Sequence, residues 1–224
     1  MAIKTNKNEE IIEIKPVENV STIIRIVGDT PLIVHNFDEK AKREILEKQM
    51  KATKTKSREP KNPIGDFINS MHWICGKPDT TYASVTENDF YVAVENGAKF
   101  GFPVTAIKQA ANSAAYRNGL VKNQMALRGA YFIDGVGPNQ LAEIKGDIPV
   151  MREDMVKIIS GADIRYRGEF NNWHMDLTIR YNKNGPYSLE QIINLINLGG
   201  FCCGIGEWRP EKDGQYGMYH VEAI

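Results

Sequence analysis

The chain has 224 residues, 42% of them hydrophobic and 25% charged, with 28 basic residues against 28 acidic ones. That length supports one elaborated domain or two small ones, and the even charge balance excludes a histone-like binder that works through net charge alone. No run of about 18 apolar residues offers a membrane span, and the opening MAIKTNKNEEIIEIK lacks the apolar stretch of a signal peptide. Residues 1–19 read as a polar arm ahead of a single domain over 20–224. Cys75, Cys202 and Cys203 are odd in number, and two are adjacent. With no export signal, this points to buried thiols in a reduced, cytoplasmic protein rather than a disulfide framework. No paired CxxC spacing points to zinc, and nothing calls for a cofactor.

In chain order, Ser21 to Val27 is rich in β-branched residues and predicts a first strand, and PLIVHNF continues it as a short extended segment. Asp38 is the expected N-cap of a peripheral helix that ends in the polar stretch SREPKNP. Ile64, Phe67, Ile68, Met71 and Ile74 share helical spacing and predict a helix over Ile64 to Cys75. Phe90 to Val94 and Lys99 to Pro103 read as paired strands around Glu95-Asn96-Gly97. Val104 to Tyr116 is a helix with a narrow face of small residues, suited to lie close to a sheet. Gln124 to Asp134 and Leu141 to Lys145 predict further strands, and Asp163 to Phe170 with Trp173 to Tyr181 a long hairpin joined by Asn171-Asn172. Ser188 and Gln191 form a capping box for a helix that Gly199-Gly200 should end, and Gln215 to Glu222 closes the chain as a strand.

Charge is unevenly spread. Gly101 to Ile133 holds no Asp or Glu but carries Lys108, Arg117, Lys122 and Arg128, and a second basic run extends from Lys48 to Lys61. Gly199 to Gly217 contains six glycines, interleaved with Trp208, Arg209 and Lys212. Glycines let backbone amides approach a phosphate, the two cations supply charge, and the indole offers a face on which a base can stack. The alternative is a tight connection whose glycines only meet positive-φ demands. The segment matches neither a P-loop nor a dinucleotide fingerprint.

Three segments together resemble the RAMP superfamily of CRISPR-associated RNA-binding proteins: the strand running into GDTPLIVH, the proline-led helix GFPVTAIKQAANSAAYR carrying Lys108, and the loop GGFCCGIGEWRPEKDGQYG. Their order and spacing agree over roughly residues 20 to 222. GIGEWRPEKDGQYG and MREDMVKI are also similar to proteins encoded by phages and prophages. The resemblance implies an α+β, ferredoxin-like and RRM-related βαββαβ core with insertions, mainly an antiparallel sheet. It further implies a groove that follows a strand's backbone, and subunits that polymerise along it through a thumb-like insertion, here near 54–63 or 76–88.

The resulting expectation is a phage- or prophage-type protein of the bacterial cytoplasm that binds single-stranded RNA or DNA as a homo-oligomer and does not act on it chemically. The candidate contacts are Lys108, Arg117, Arg128, Arg165, Arg167, Gly204, Gly206, Trp208, Arg209 and Lys212. Arg165 and Arg167 share one strand face, where phosphate contact and pairing with nearby carboxylates are equal alternatives. RAMP-type processing nucleases place a histidine near the N-terminal strand, as His35 is placed here. A metal-independent RNA endonuclease using His35 is therefore one alternative, although none of the four histidines sits in an evident acid–base pair in the sequence. A phage structural or host-inhibiting module that grips another protein is the other.

Overall fold

A computed structural model of the chain describes residues 15–36, 45–46, 49–50, 60–158 and 161–222. The first part of the polar arm, most of the helix expected from Asp38, and the cations from Lys48 to Arg58 lie outside the described residues.

The fold is α+β, with every strand pair among the described residues antiparallel. The main sheet is centred on β1 (Asn19–Gly28) and β9 (Trp173–Asn182). Side chains alternate across a strand, and both sequences obey that period of two. Ile24 and Ile26 of β1, with Trp173, Met175, Leu177 and Ile179 of β9, are buried on one face. Arg25, His174, Asp176 and Arg180 occupy the other. The outer edge of β1 carries β10 (Tyr219–Glu222). The far edge of β9 is divided: β5 (Tyr131–Asp134) pairs along its end, and β6 (Leu141–Gly146) pairs at its start. From β6 the sheet continues through β4 (Lys99–Pro103) to β3 (His72–Cys75).

Two helices cover the buried face. α3 (Val104–Arg117) lies between β4 and β5 in the chain, and α5 (Leu189–Cys202) between β9 and β10. Ile107 and Ala111 of α3 and Ile192 and Ile196 of α5 join the same core as Ile24 and Leu177. The Ser188–Gln191 capping box forms as expected. Gly199 and Gly200, however, do not end α5. They lie inside it, because a Cβ at Gly199 would stand 2.7 Å from the Ala111 backbone. Two helix backbones meet there at a separation that no larger residue permits.

A second sheet holds β2 (Leu32–Val34), β8 (Gly161–Phe170) and β7 (Val150–Ile158), in the order β2-β8-β7. β8 and β9 are therefore not a hairpin: Asn171-Asn172 carries the chain from one sheet into the other. Three further expectations are corrected. Residues 90–94 are helical, within α2 (Glu87–Glu95), because Thr86 and Asp89 cap each other and Gly97 turns the chain at φ +83°. The helix at 64 is α1 (Pro63–Ser70), and the chain after Met71 becomes β3. Arg128 closes a single turn, α4 (Met125–Arg128), instead of lying in a strand.

The 76–88 segment folds back on α1. The Asn62 side-chain amide donates to the carbonyls of Tyr82 and Val85, and the Tyr82 hydroxyl donates to Asp66.

On the open face of the main sheet, Asp176 accepts from Arg25 at 2.7 Å and Lys145 at 2.9 Å, linking β1, β9 and β6. The Arg25 hydrogen bond, chiefly, holds its carboxyl down at about 2. Its folded value lies below the unfolded one of about 3.9, so the stabilisation is present above pH 4 and is lost as pH falls towards about 2. Acid unfolding followed by circular dichroism should show a shallower loss of stability across that window in Asp176→Asn than in the parent.

Candidate functional site

Three segments distant in sequence meet beside the glycine-rich loop. β2 runs on into His35, β4 ends at Pro103 where α3 begins, and α5 gives way to the loop at Cys203. Between them lies a pocket of about 300 Å³, walled by His35, His72, Phe102, Pro103, Gln109 and, from the loop, Gly204 to Glu207 with Arg209 and Glu211. Of the sequence-expected residues, His35, Gly204, Gly206 and Arg209 line it.

The loop is fastened down. The Glu207 amide donates to the Ile33 carbonyl at 2.9 Å, and the Gly217 amide donates to the Pro31 carbonyl at 2.8 Å. Gly206 has φ +79°, and a Cβ there would overlap the Ile33 carbonyl oxygen, so this position admits only glycine. The amides of Gly204, Ile205, Glu211, Lys212, Gly214 and Tyr216 also donate to main-chain carbonyls. Those amides hold the loop's own shape instead of presenting themselves to a phosphate.

Trp208 is the exception to this closure. It is 44% exposed at the loop surface and sits at φ +53°, where a bulky L-residue is strained by about 1–2 kcal/mol. Its carbonyl accepts from the Tyr216 amide at 3.0 Å, which fixes the backbone that presents the indole.

Glu207 is the loop's ionic contact with both β2 and β8. One carboxylate oxygen lies 3.4 Å from His35 Nδ1, and the other 3.8 Å from the Arg167 guanidinium. The hydrogen bond with His35 holds the Glu207 carboxyl below its ordinary range; burial opposes this and the Arg167 charge assists. His72 stands in the same pocket, and burial, with the nearby His35, pushes its imidazole down. The structure thus gives His35 a carboxylate partner that no spacing in the sequence signalled. It adds Glu207, His72 and Gln109 to the site.

Behind Glu207 the charges continue into the protein. Arg167 is 3% exposed and donates to Asp154 at 3.0 Å, while its Nε has no partner among the described residues. Asp154 also accepts from Arg152 at 2.8 Å; Arg152 in turn donates to Glu169 and stacks on the Tyr216 ring, 4.7 Å from its centroid.

The remaining basic candidates are engaged elsewhere. Lys108 donates to the carbonyls of Arg128 and Tyr131, at 2.7 and 2.6 Å, and lies over the Phe132 ring on the β5 side of α3. Arg117 donates to Glu211 at 2.8 Å, and Arg209 to Glu211 and the Gly206 carbonyl. Arg165 pairs with Asp163 at 3.6 Å. Arg128 and Lys212 are exposed, the latter ending the 3₁₀ turn Pro210–Lys212.

No group of three or more His, Cys, Asp or Glu side chains that could hold a metal occurs among the described residues, and no helix there is long and apolar enough to cross a membrane. Compared with known proteins, the chain matches no family model and no curated protein.

Removing one partner from a buried ion pair leaves the other charge uncompensated, at a cost of about 3 kcal/mol or more. Asp154→Leu is expected to lower unfolding stability by that order in urea titrations. Adding Arg167→Met should recover most of the loss.

Proposed function

We propose that the protein binds a single strand of RNA or DNA across this pocket, with Trp208 as a stacking surface and without chemistry on the strand. The observation that carries the reading is the convergence itself. The TPLIVH strand, the proline-led helix and the glycine-rich loop, which together resemble RAMP proteins, lie far apart in the sequence, and in space they wall one pocket.

The topology supports the same reading. The strand order β10-β1-β9-β5, with α3 and α5 as crossing connections, is compatible with a ferredoxin-like, RRM-related βαββαβ core. On this view β2 to β4 and β6 to β8 are insertions, and the β7–β8 hairpin joins the candidates for a thumb-like element. The likeness of GIGEWRPEKDGQYG and MREDMVKI to phage and prophage proteins makes a phage-type role, in oligomers along the strand, part of the proposal.

Internal pairing dictates how such binding would work. Arg117, Arg165, Arg167 and Arg209 already face carboxylates, and Lys108 faces carbonyls. Among the described candidate contacts few cations remain to displace counterions, so affinity at this pocket rests on stacking and shape more than on charge. Anisotropy titrations with single-stranded oligonucleotides should give a log–log salt slope of about −2 or shallower. Trp208→Gly removes the stacking face while relieving the positive-φ strain. It should weaken binding about tenfold or more with no loss of melting temperature. Unchanged affinity in that variant would remove the loop from the interface.

A second reading, a metal-independent RNA endonuclease, is favoured by one observation: His35 Nδ1 faces the Glu207 carboxylate at 3.4 Å. A carboxylate so placed fixes an imidazole's orientation, and an imidazole held this way could take a proton from a ribose 2′-hydroxyl as general base. The freed oxygen would attack the adjacent phosphorus and form the 2′,3′-cyclic phosphate, while the 5′-oxygen leaves as a hydroxyl carrying a proton from the imidazolium or from water. This reading requires His35→Ala to abolish cleavage of a mixed RNA pool while binding persists. No cleavage by the parent protein would dispose of it.

A further inference from the structure

We propose that two copies of this chain associate through β7, edge to edge and antiparallel, with Met155 of each copy at the two-fold axis. The contact needs no nucleic acid and is independent of the binding reading above.

β7 is the outer strand of the sheet β2-β8-β7, and no described strand pairs with its free edge. A nine-residue edge leaves a row of backbone donors and acceptors ready to pair with another chain. Its side chains add to that invitation. Met155 is 77% exposed, and Ile164, opposite it on β8, is 42% exposed, so the hairpin carries an apolar ridge into solvent.

Charge complementarity identifies the occupant. When two β7 strands run antiparallel with Met155 opposite Met155, Glu153 stands opposite Lys157 of the second copy and Lys157 opposite Glu153. The alternation of a strand puts all of these side chains on one face. Two attractive cross-strand pairs then flank a methionine contact, each pair related to the other by the two-fold axis. Shifting the axis to Asp154 would oppose Glu153 to Met155 and lose both pairs. Within its own sheet Lys157 lies opposite Ala162, so no carboxylate stands across from it there. On the other face of the hairpin, Arg152 and Arg167 already pair with Asp154.

The test is sedimentation velocity on the full-length, nuclease-treated protein across micromolar concentrations. A dimer is expected. Glu153→Lys and Lys157→Glu, each alone, turn both pairs repulsive and should raise the dimer dissociation constant about tenfold or more. The E153K/K157E double variant should return it close to the parent value. Met155→Cys should form a disulfide-linked dimer under mild oxidation, with peptide mapping showing residue 155 joined to itself and not to the exposed Cys75. A monomer at every concentration would overturn the proposal. So would a dimer that neither reversal weakens, or a cross-link that does not include residue 155. Because nucleic acid is absent throughout, these outcomes leave the strand-binding proposal to its own experiments.

Discussion

The pocket depends on how Glu207 is held. Its amide bonds to the Ile33 carbonyl, while its carboxylate meets His35 and Arg167. One residue thus fixes the glycine-rich loop to β2 by main chain and to β8 by side chain. Arg167 is almost wholly buried and anchored on Asp154, so the loop rests on an inflexible support. Gly206 completes the seat, since any Cβ would meet the carbonyl that Glu207 needs. The strain at Trp208 persists because the backbone on either side of it is determined by these contacts.

Shared carboxylates recur elsewhere in the fold. Arg152 and Arg167 share Asp154, Arg117 and Arg209 share Glu211, and Arg25 and Lys145 share Asp176. Each carboxylate bridges two basic groups from different parts of the fold. These cations serve architecture, and they leave the pocket with two histidines, two carboxylates and an arginine already paired. A site of that kind discriminates by shape and hydrogen bonding more than by field strength.

The parts of this fold governed by local rules were legible in the sequence. The period-two alternation of β1 and β9 and the Ser188–Gln191 box depend on neighbours within a few residues. α2 was misread because Phe90, Val92 and Val94 alternate like a strand, while the Thr86–Asp89 box that starts the helix uses Asp where Glu or Gln is usual. β8 and β9 were each recognisable as extended, but an extended segment does not name its partner, and theirs lie in different sheets. Gly199 gave the commonest helix-stop signal while serving contact with Ala111. For the site, the three segments were legible and their convergence was not. Arg117 meets Glu211 across 94 positions, and nothing local marks such a pair. Glu207 and Glu211, on either side of Trp208-Arg209-Pro210, were visible acids that could have prompted a search for basic partners.

Two surfaces are candidates for the strand proposed above: the pocket walled by the glycine-rich loop, and the sheet face where Phe132 lies between Lys108 and Arg180. Photo-cross-linking a thio-substituted single-stranded oligonucleotide to the full-length protein, followed by peptide mapping, separates them most directly. The account predicts adducts on the loop at Trp208 and on the segments carrying His35 or Phe102 to Gln109. Adducts confined to the strands carrying Phe132 and Arg180, or no strand-dependent adduct at all, would contradict it.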